Sequence, residues 1–438
     1  MPKNLHEVRD PIHMFVRYDS AERQVIDSRF FQRLRHVHQL AMSYLLYPGA
    51  THRRFEHSLG VMELASRIFD VITNRDALHP QITDIFPQLS SPDQLSYWRR
   101  VLRMAALCHD IGHLPFSHAA EKELLPSGHS HELIGADIVR SPEMKALWEK
   151  ITPPLRADDV AKIAVGPEKL PGETFSDWEN ILSEIITGDA LGVDRMDYLL
   201  RDSLHAGVAY GRFDHFRLID TIRILPVNTG DHSISPQLGV EEGGLHSTEA
   251  LLLARYFMFT QVYLHPVRRI YDVHLKDFLK EWLPYGQFPI DIDLHCKYTD
   301  NEVTAGLLKS ALDSSEPGHT HAKRIVSRNH YKKIYERNPD DIQINPDAGQ
   351  VLYKALCLEF GADNLRFDIY SKSGGSPDFP IKRDDESISP AYTLSDTLQK
   401  LPVLSINYIF IDSTVRDKAK KWLKDNKETV LENIQQEE

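Results

Sequence analysis

The stretch LCHDIGHLPFSH, Leu107 to His118, sets three histidines, an aspartate, a glycine and a proline where an apolar helical run ends. Upstream, Trp98, Val101, Leu102 and Ala105 repeat with helical period, and His109 follows Ala105 by four positions, so its ring leaves the face that packs inward. Taken singly, such a histidine reads as a buried ring at a helix C-terminus, with Gly112 stopping the helix. Asp110 beside it, followed by His113 and His118, shifts the reading toward a metal. Packing rarely requires an adjacent imidazole and carboxylate, whereas a cation does.

Two ligands do not complete a site, and further candidates are found by helix face. In RRFEHSLGVMELASRIF, His57 is in register with Val61, Leu64 and Ile68 and points inward. In GVDRMDYLLRDS, Asp194, Tyr198 and Asp202 form one stripe, with Met196, Leu199, Leu200 and Leu204 on the other side. Asp194 qualifies as a fourth ligand; the alternative for the stripe is the solvated face of a surface helix. Two imidazoles and two carboxylates without a thiolate suit Fe, Mn, Ni or Zn. Such a metal lowers the pKa of water, which points to hydrolysis.

The 438 residues exceed one small core and predict two domains or one large domain with an appendage. Hydrophobic residues at 42% and charged residues at 26% are ordinary for a soluble globular chain. The net charge of −12 disfavours a broad nucleic-acid footprint, which leaves single-stranded nucleic-acid binding as a weak rival. Three scattered cysteines, Cys108, Cys296 and Cys357, predict a reducing compartment, with cytoplasm as the default. The N-terminus lacks the apolar core of a signal peptide, and the run Ala250 to Leu264 is broken by Arg255 and Gln261, so no membrane span is expected.

From Ala21 to about Lys280 the helical period dominates, with a β-hairpin predicted between Thr221 and Gly244. Beyond it, LRFDIY (365–370) and LSINYIFI (404–411) read as strands separated by the loop SKSGGSPDFPIKRDD, with a helical C-terminal tail. The expected fold is mainly α: a helical domain over 1–280 with an inserted hairpin, then a smaller α/β domain over 281–438.

These segments together resemble the HD-domain phosphohydrolases, whose ordered ligands fall here on His57, His109, Asp110 and Asp194. The runs DPIH (10–13), FFQRLRHVHQL (30–40), PGATHRRFEHSLGV (48–61), HSHE (129–132) and VDRMDYLLRDS (193–203) are similar to the bacterial-type deoxynucleoside triphosphate triphosphohydrolase (dNTPase) branch, over roughly residues 5 to 275. The resemblance implies an HD catalytic domain that cleaves a dNTP at the α-phosphate into deoxynucleoside and inorganic triphosphate, with Mg accompanying the nucleotide. It implies phosphate contacts by Arg54, Arg195 and Arg255, where the human member of the branch has lysine at the Arg195 position. Each arginine also has an ordinary reading, as a surface residue or, for Arg255, as the partner of an internal carboxylate. The resemblance places acid–base histidines at His113, His118 and His131, with Glu132 an orienting partner, and leaves His129 a solvated loop residue. It places sugar contacts at Gln39, Tyr198, Asp202 and Tyr263, whose ordinary readings are core packing and surface polarity.

Asp27, Gln32 and Arg35 match the guanine-reading positions of an allosteric site, which implies activation by dGTP or GTP and a homotetramer; unaided, this segment is an ordinary amphipathic helix. At His6 and Arg9 the human member has lysine and asparagine, so triphosphate contacts there differ. The C-terminal domain would be regulatory or oligomerising. Competing readings are another HD phosphohydrolase, acting on nucleoside monophosphates, cyclic nucleotides or alarmones, and a nucleotide-sensing protein without turnover.

Overall fold

A hairpin precedes the helices. In the computed structural model, which describes residues 5–117, 121–230, 233–371 and 378–432, strands β1 (Leu5–Asp10) and β2 (Met14–Asp19) pair antiparallel, Asp10 opposite Met14. The Asp10 side chain closes the turn by accepting the Ile12 and His13 N–H groups at 2.8 and 2.9 Å. Asp19 then caps α1 (Ser20–Ile26) in a capping box with Glu22.

The chain forms two compact units, and the first comprises Met1–Met258, Pro289–Asn301 and Ser376–Leu401. Its longer helices include α2 (Arg54–Ile72), α3 (Pro92–Cys108), α4 (His131–Val139), α5 (Ala157–Val165), α6 (Asp177–Thr187) and α7 (Val193–Ala206). The apolar stripe of α2 is buried at Val61, Leu64, Ala65, Ile68 and Ile72, as its period predicts, and α3 buries Val101, Leu102 and Ala105. Buried Arg103 of α3 reaches Glu22 at 2.7 Å and the Arg17 carbonyl at 2.8 Å, tying the hairpin and α1 to the helical core.

The predicted hairpin is β3 (Ile222–Asn228) with β4 (Ile234–Glu241), followed by α8 (Leu245–Met258). Part of the stretch expected to be a loop is sheet: Pro380–Lys382 runs parallel to β4, and Ile388–Pro390 pairs beyond it. The fold is mainly α. Among the described residues no helix is long and apolar enough to cross a membrane.

The second unit comprises Phe259–Phe288, Glu302–Gly375 and Pro402–Glu438. It contains α9 (Pro266–Trp282), α10 (His319–Val326), β5 (Lys332–Glu336), α11 (Ala348–Phe360), β6 (Leu365–Ser371), β7 (Ser405–Ile411) and α12 (Arg416–Glu432). The sheet order is β5–β7–β6, all antiparallel, and Leu352, Leu356, Leu365, Ile409, Ile411 and Leu423 form its core. Residue 280, where the sequence places the domain boundary, lies inside α9.

Buried His274 of α9 accepts the Tyr331 N–H at 3.3 Å. Burial, aided by the charges of His321, Arg324, Arg366 and His330, pushes its pKa down to about 2. A neutral buried imidazole must take up a proton on unfolding below its ordinary pKa, so its contribution is constant above pH 6.5 and stability falls as the pH drops below it. The slope is up to about 1.4 kcal/mol per pH unit. His274→Gln, which keeps an acceptor for Tyr331, should therefore flatten the fall in melting temperature between pH 6 and 4; an unchanged acid limb would assign that lability elsewhere.

Candidate metal centre and active site

Three helices deliver four ligand candidates to one place. His57 comes from the first turn of α2, His109 and Asp110 from the end of α3, and Asp194 from the first turn of α7. His57 Nε2 lies 3.0 Å from Asp194 Oδ1 and 3.6 Å from Asp110 Oδ2, and His109 Nε2 lies 3.5 Å from both Asp110 Oδ1 and Asp194 Oδ1. Donors about 2.1 Å from a common ion are separated by roughly 3.0 to 3.4 Å for octahedral to tetrahedral angles, so the spacing suits a transition metal.

The histidine chemistry also fits. His109 donates Nδ1–H to the Ala106 carbonyl at 2.8 Å, which leaves Nε2 bare, buried and without a hydrogen-bond partner among the described residues. The side chains of His57, His109 and Asp110 are almost fully enclosed, whereas that of Asp194 is 37% exposed.

The charges are mutually dependent. Burial opposes a charge on His57, but hydrogen bonds to Asp194 and Asp197 outweigh it and push its pKa up to about 10. Burial likewise disfavours the Asp110 carboxylate, yet Arg54, His109 and His57 hold it well below the usual range. Asp194 is held down in the same sense by His109 and His57. An ion entering here would replace the proton on His57 Nε2.

Around the cluster stand the expected arginines. Arg54 Nη1 donates to Asp110 Oδ2, and its Nε donates to Ser117 Oγ at 2.9 Å. Arg195 and Arg255 converge on Asp189, a residue the sequence reading does not single out: its Oδ1 is 2.9 Å from Arg195 Nη2 and 3.3 Å from Arg255 Nη2. Asp189 is half exposed. Phe116 and Ser117 adopt positive φ, +54° and +59°, strained for side-chain-bearing residues. Asp300 holds that pair by accepting the Phe116 N–H at 2.7 Å and the His38 N–H at 2.8 Å.

His113 stacks on His131 with centroids 3.9 Å apart, and its Nε2 is 3.5 Å from Asp110 Oδ1. His131 Nδ1 is 2.6 Å from Glu121 and 3.3 Å from Glu132. The nearer orienting carboxylate is thus Glu121, which also accepts the His131 N–H at 2.8 Å. His118 lies outside the described residues. Gly112 comes after α3 has ended, and its role is close approach rather than helix termination: a Cβ there would lie 2.2 Å from the His131 carbonyl and 2.4 Å from Gly135 N.

Gln39 and Asp202 both meet His52: Gln39 N–H donates to its carbonyl at 3.1 Å, and His52 Nε2 is 2.7 Å from Asp202 Oδ1. Asp202 is buried, and Leu204, expected on the apolar side of α7, is exposed. Tyr198 adjoins Arg195, whose charge, with that of Arg255, partly offsets the rise that burial imposes on its phenol. Tyr263 is buried in the second unit, edge-on to Phe259. Gln32 Oε1 accepts from Arg35 Nε at 2.8 Å, and Arg35 covers the Phe55 ring, while Asp27 pairs with Arg23 at 3.1 Å. His6 bonds Ser20 at 3.0 Å, and Arg9 lies over Phe15.

Gly112→Ala should cost about 1–3 kcal/mol of stability by wedging α4 away, and turnover should fall with it because the clash is at His131 itself. Denaturant unfolding equal to wild type would show that α4 backs away freely.

Comparison with known proteins places this geometry. The HD-domain profile matches residues 54–202, and the HD associated region matches residues 213–351. An uncharacterized protein of Methanocaldococcus jannaschii is 33% identical over 83% of this chain and 68% of its own length. The uncharacterized protein YwfO of Bacillus subtilis is 34% identical over 62% of this chain and 54% of its own. The deoxynucleoside triphosphate triphosphohydrolase SAMHD1 of Bos taurus is 29% identical over 76% of this chain, which spans 59% of that protein. A crystal structure of a hypothetical protein from Aquifex aeolicus matches with a TM-score of 0.75 at 30% identity, covering 96% of this chain and all of the other. The chain belongs to the HD-domain family of phosphohydrolases.

Proposed function

We propose that this chain is a metal-dependent dNTP triphosphohydrolase, releasing deoxynucleoside and inorganic triphosphate. The observation that carries the reading is the convergence of His57, His109, Asp110 and Asp194 beside the guanidinium of Arg54. The relatives named SAMHD1 lend it direction. Those four side chains would hold a divalent Fe, Mn, Ni or Zn, which would supply the Lewis acidity that makes water a usable nucleophile near neutral pH.

The chain's own groups do the rest. Arg54, Arg195 and Arg255 bind the polyphosphate with its Mg, Asp189 yielding the latter two guanidiniums to it. The stacked pair His113 and His131, oriented by Glu121, stands ready to protonate the departing 5′ oxygen; His118 and Glu132 remain candidates beside them. Gln39 and Asp202, bridged through His52, recognise the 3′-hydroxyl, while Tyr198 crowds the sugar; the family resemblance alone gives Tyr263 the role of disfavouring a 2′-hydroxyl. Asp27, Gln32 and Arg35 form a guanine-nucleotide activator site for dGTP or GTP, completed between subunits of a homotetramer, with triphosphate contacts that differ from the human member's at His6 and Arg9. Residues 281–438 serve that assembly.

Metal-analysed protein incubated with each dNTP and NTP, alone and in pairs, should yield inorganic triphosphate from dNTPs on chromatography. Orthophosphate as the first product would replace this reading with a nucleotidase. His109→Ala combined with Asp110→Ala should lower turnover by about a thousandfold or more. Equal rates with and without guanine nucleotide would remove the activator site.

A further inference from the structure

We propose that Asp197 is the positioning residue for His57, and that a buried chain of ionic contacts anchors it to the turn of the N-terminal hairpin. The inference rests on the metal-site reading above.

His57 is gripped at both ring nitrogens by one helix. Its Nε2 faces Asp194 at 3.0 Å, and its Nδ1 faces Asp197 Oδ2 at 2.8 Å. An ionised carboxylate only accepts, so Nδ1 keeps its proton against Asp197, and it is loss of the Nε2 proton facing Asp194 that frees a lone pair for the ligand cluster. Asp197 therefore fixes both the tautomer and the plane of the ring.

Asp197 is itself held from two further directions. His13 Nε2 lies 2.7 Å from Oδ1, and Arg201 grips both oxygens, Nε to Oδ2 at 2.8 Å and Nη2 to Oδ1 at 2.9 Å. Arg201 Nη1 continues to Asp10 Oδ2 at 2.8 Å, the other oxygen of which closes the β1–β2 turn. Every member of the chain is buried.

Two observations argue against an incidental network. Gly60, one turn after His57, leaves bare helix against this carboxylate: a Cβ there would lie 2.0 Å from Asp197 Oδ1 and 2.5 Å from Arg201 Nη2. In addition, burying an arginine between two carboxylates is a costly way to attach a hairpin, and apolar packing would do it as well. Apolar packing would not set the proton on an imidazole.

The test compares full-length wild type with Asp197→Asn, Gly60→Ala and His57→Ala. It measures Co(II) and Zn(II) dissociation constants by chelator competition, the visible spectrum of the Co(II) protein, and folding by circular dichroism. Asp197→Asn should bind metal about 10- to 100-fold more weakly, with a changed Co(II) spectrum. Gly60→Ala, which keeps every charge, should shift both in the same direction, and His57→Ala should lose more. Wild-type affinity and spectrum in folded Asp197→Asn would overturn the inference and leave the proposed function standing. Should Asp197→Asn not fold, Gly60→Ala decides, and wild-type values there overturn it. Wild-type protein that takes up no metal would overturn both.

Discussion

Two carboxylates, Asp110 and Asp194, have to approach one point in a region that excludes most water, and like charges so placed repel unless positive groups stand between them. His57, His109 and Arg54 are those groups. No single helix could supply them. Neighbouring positions within a helix point apart, and His109 and Asp110 meet only because α3 has ended at Cys108, so α2 and α7 must converge on that end to bring the remaining donors. Much of the first unit is the packing that this convergence requires, down to the bare backbone at Gly60 and Gly112, where the elements come too close for a side chain.

How much of this can be read from the sequence depends on how local the signal is. His57 and His109 stand out because each sets an imidazole in register with an apolar stripe, while Asp194 lies on the polar stripe of its helix and is singled out only beside them; α2 and α3 bury the residues their period selects. The hairpin at β3 and β4 is flagged by its turn residues, and β6 and β7 by their β-branched and aromatic runs. The hairpin of Leu5–Asp19 is not, because β1 alternates between exposed and partly exposed positions and its one buried residue is the polar Asp10. Lys332–Glu336 is too polar, and Pro380–Lys382 too short, to declare a strand alone.

The missed site residues share one cause: their partners are remote in sequence. Asp197 meets His13 across 184 positions and His57 across 140. In the sequence it falls between the polar and apolar stripes of its helix and reads as neither. Glu121 finds His131 ten residues away through a segment without periodic pattern. Glu132, adjacent to the histidine in sequence, is the obvious partner on paper and the more distant one in space. Asp189 precedes α7 as an ordinary loop acid until the two arginines close on it.

The uneven enclosure of the four donors has a consequence of its own. Three are sealed by protein and only Asp194 faces solvent. Traffic to and from the cluster is therefore one-sided, passing the same aspartate whether the visitor is an ion, a water molecule or a phosphate. A polyphosphate lodged at that mouth, as the proposed function has it, would act as a stopper, slowing escape of a cation held behind it.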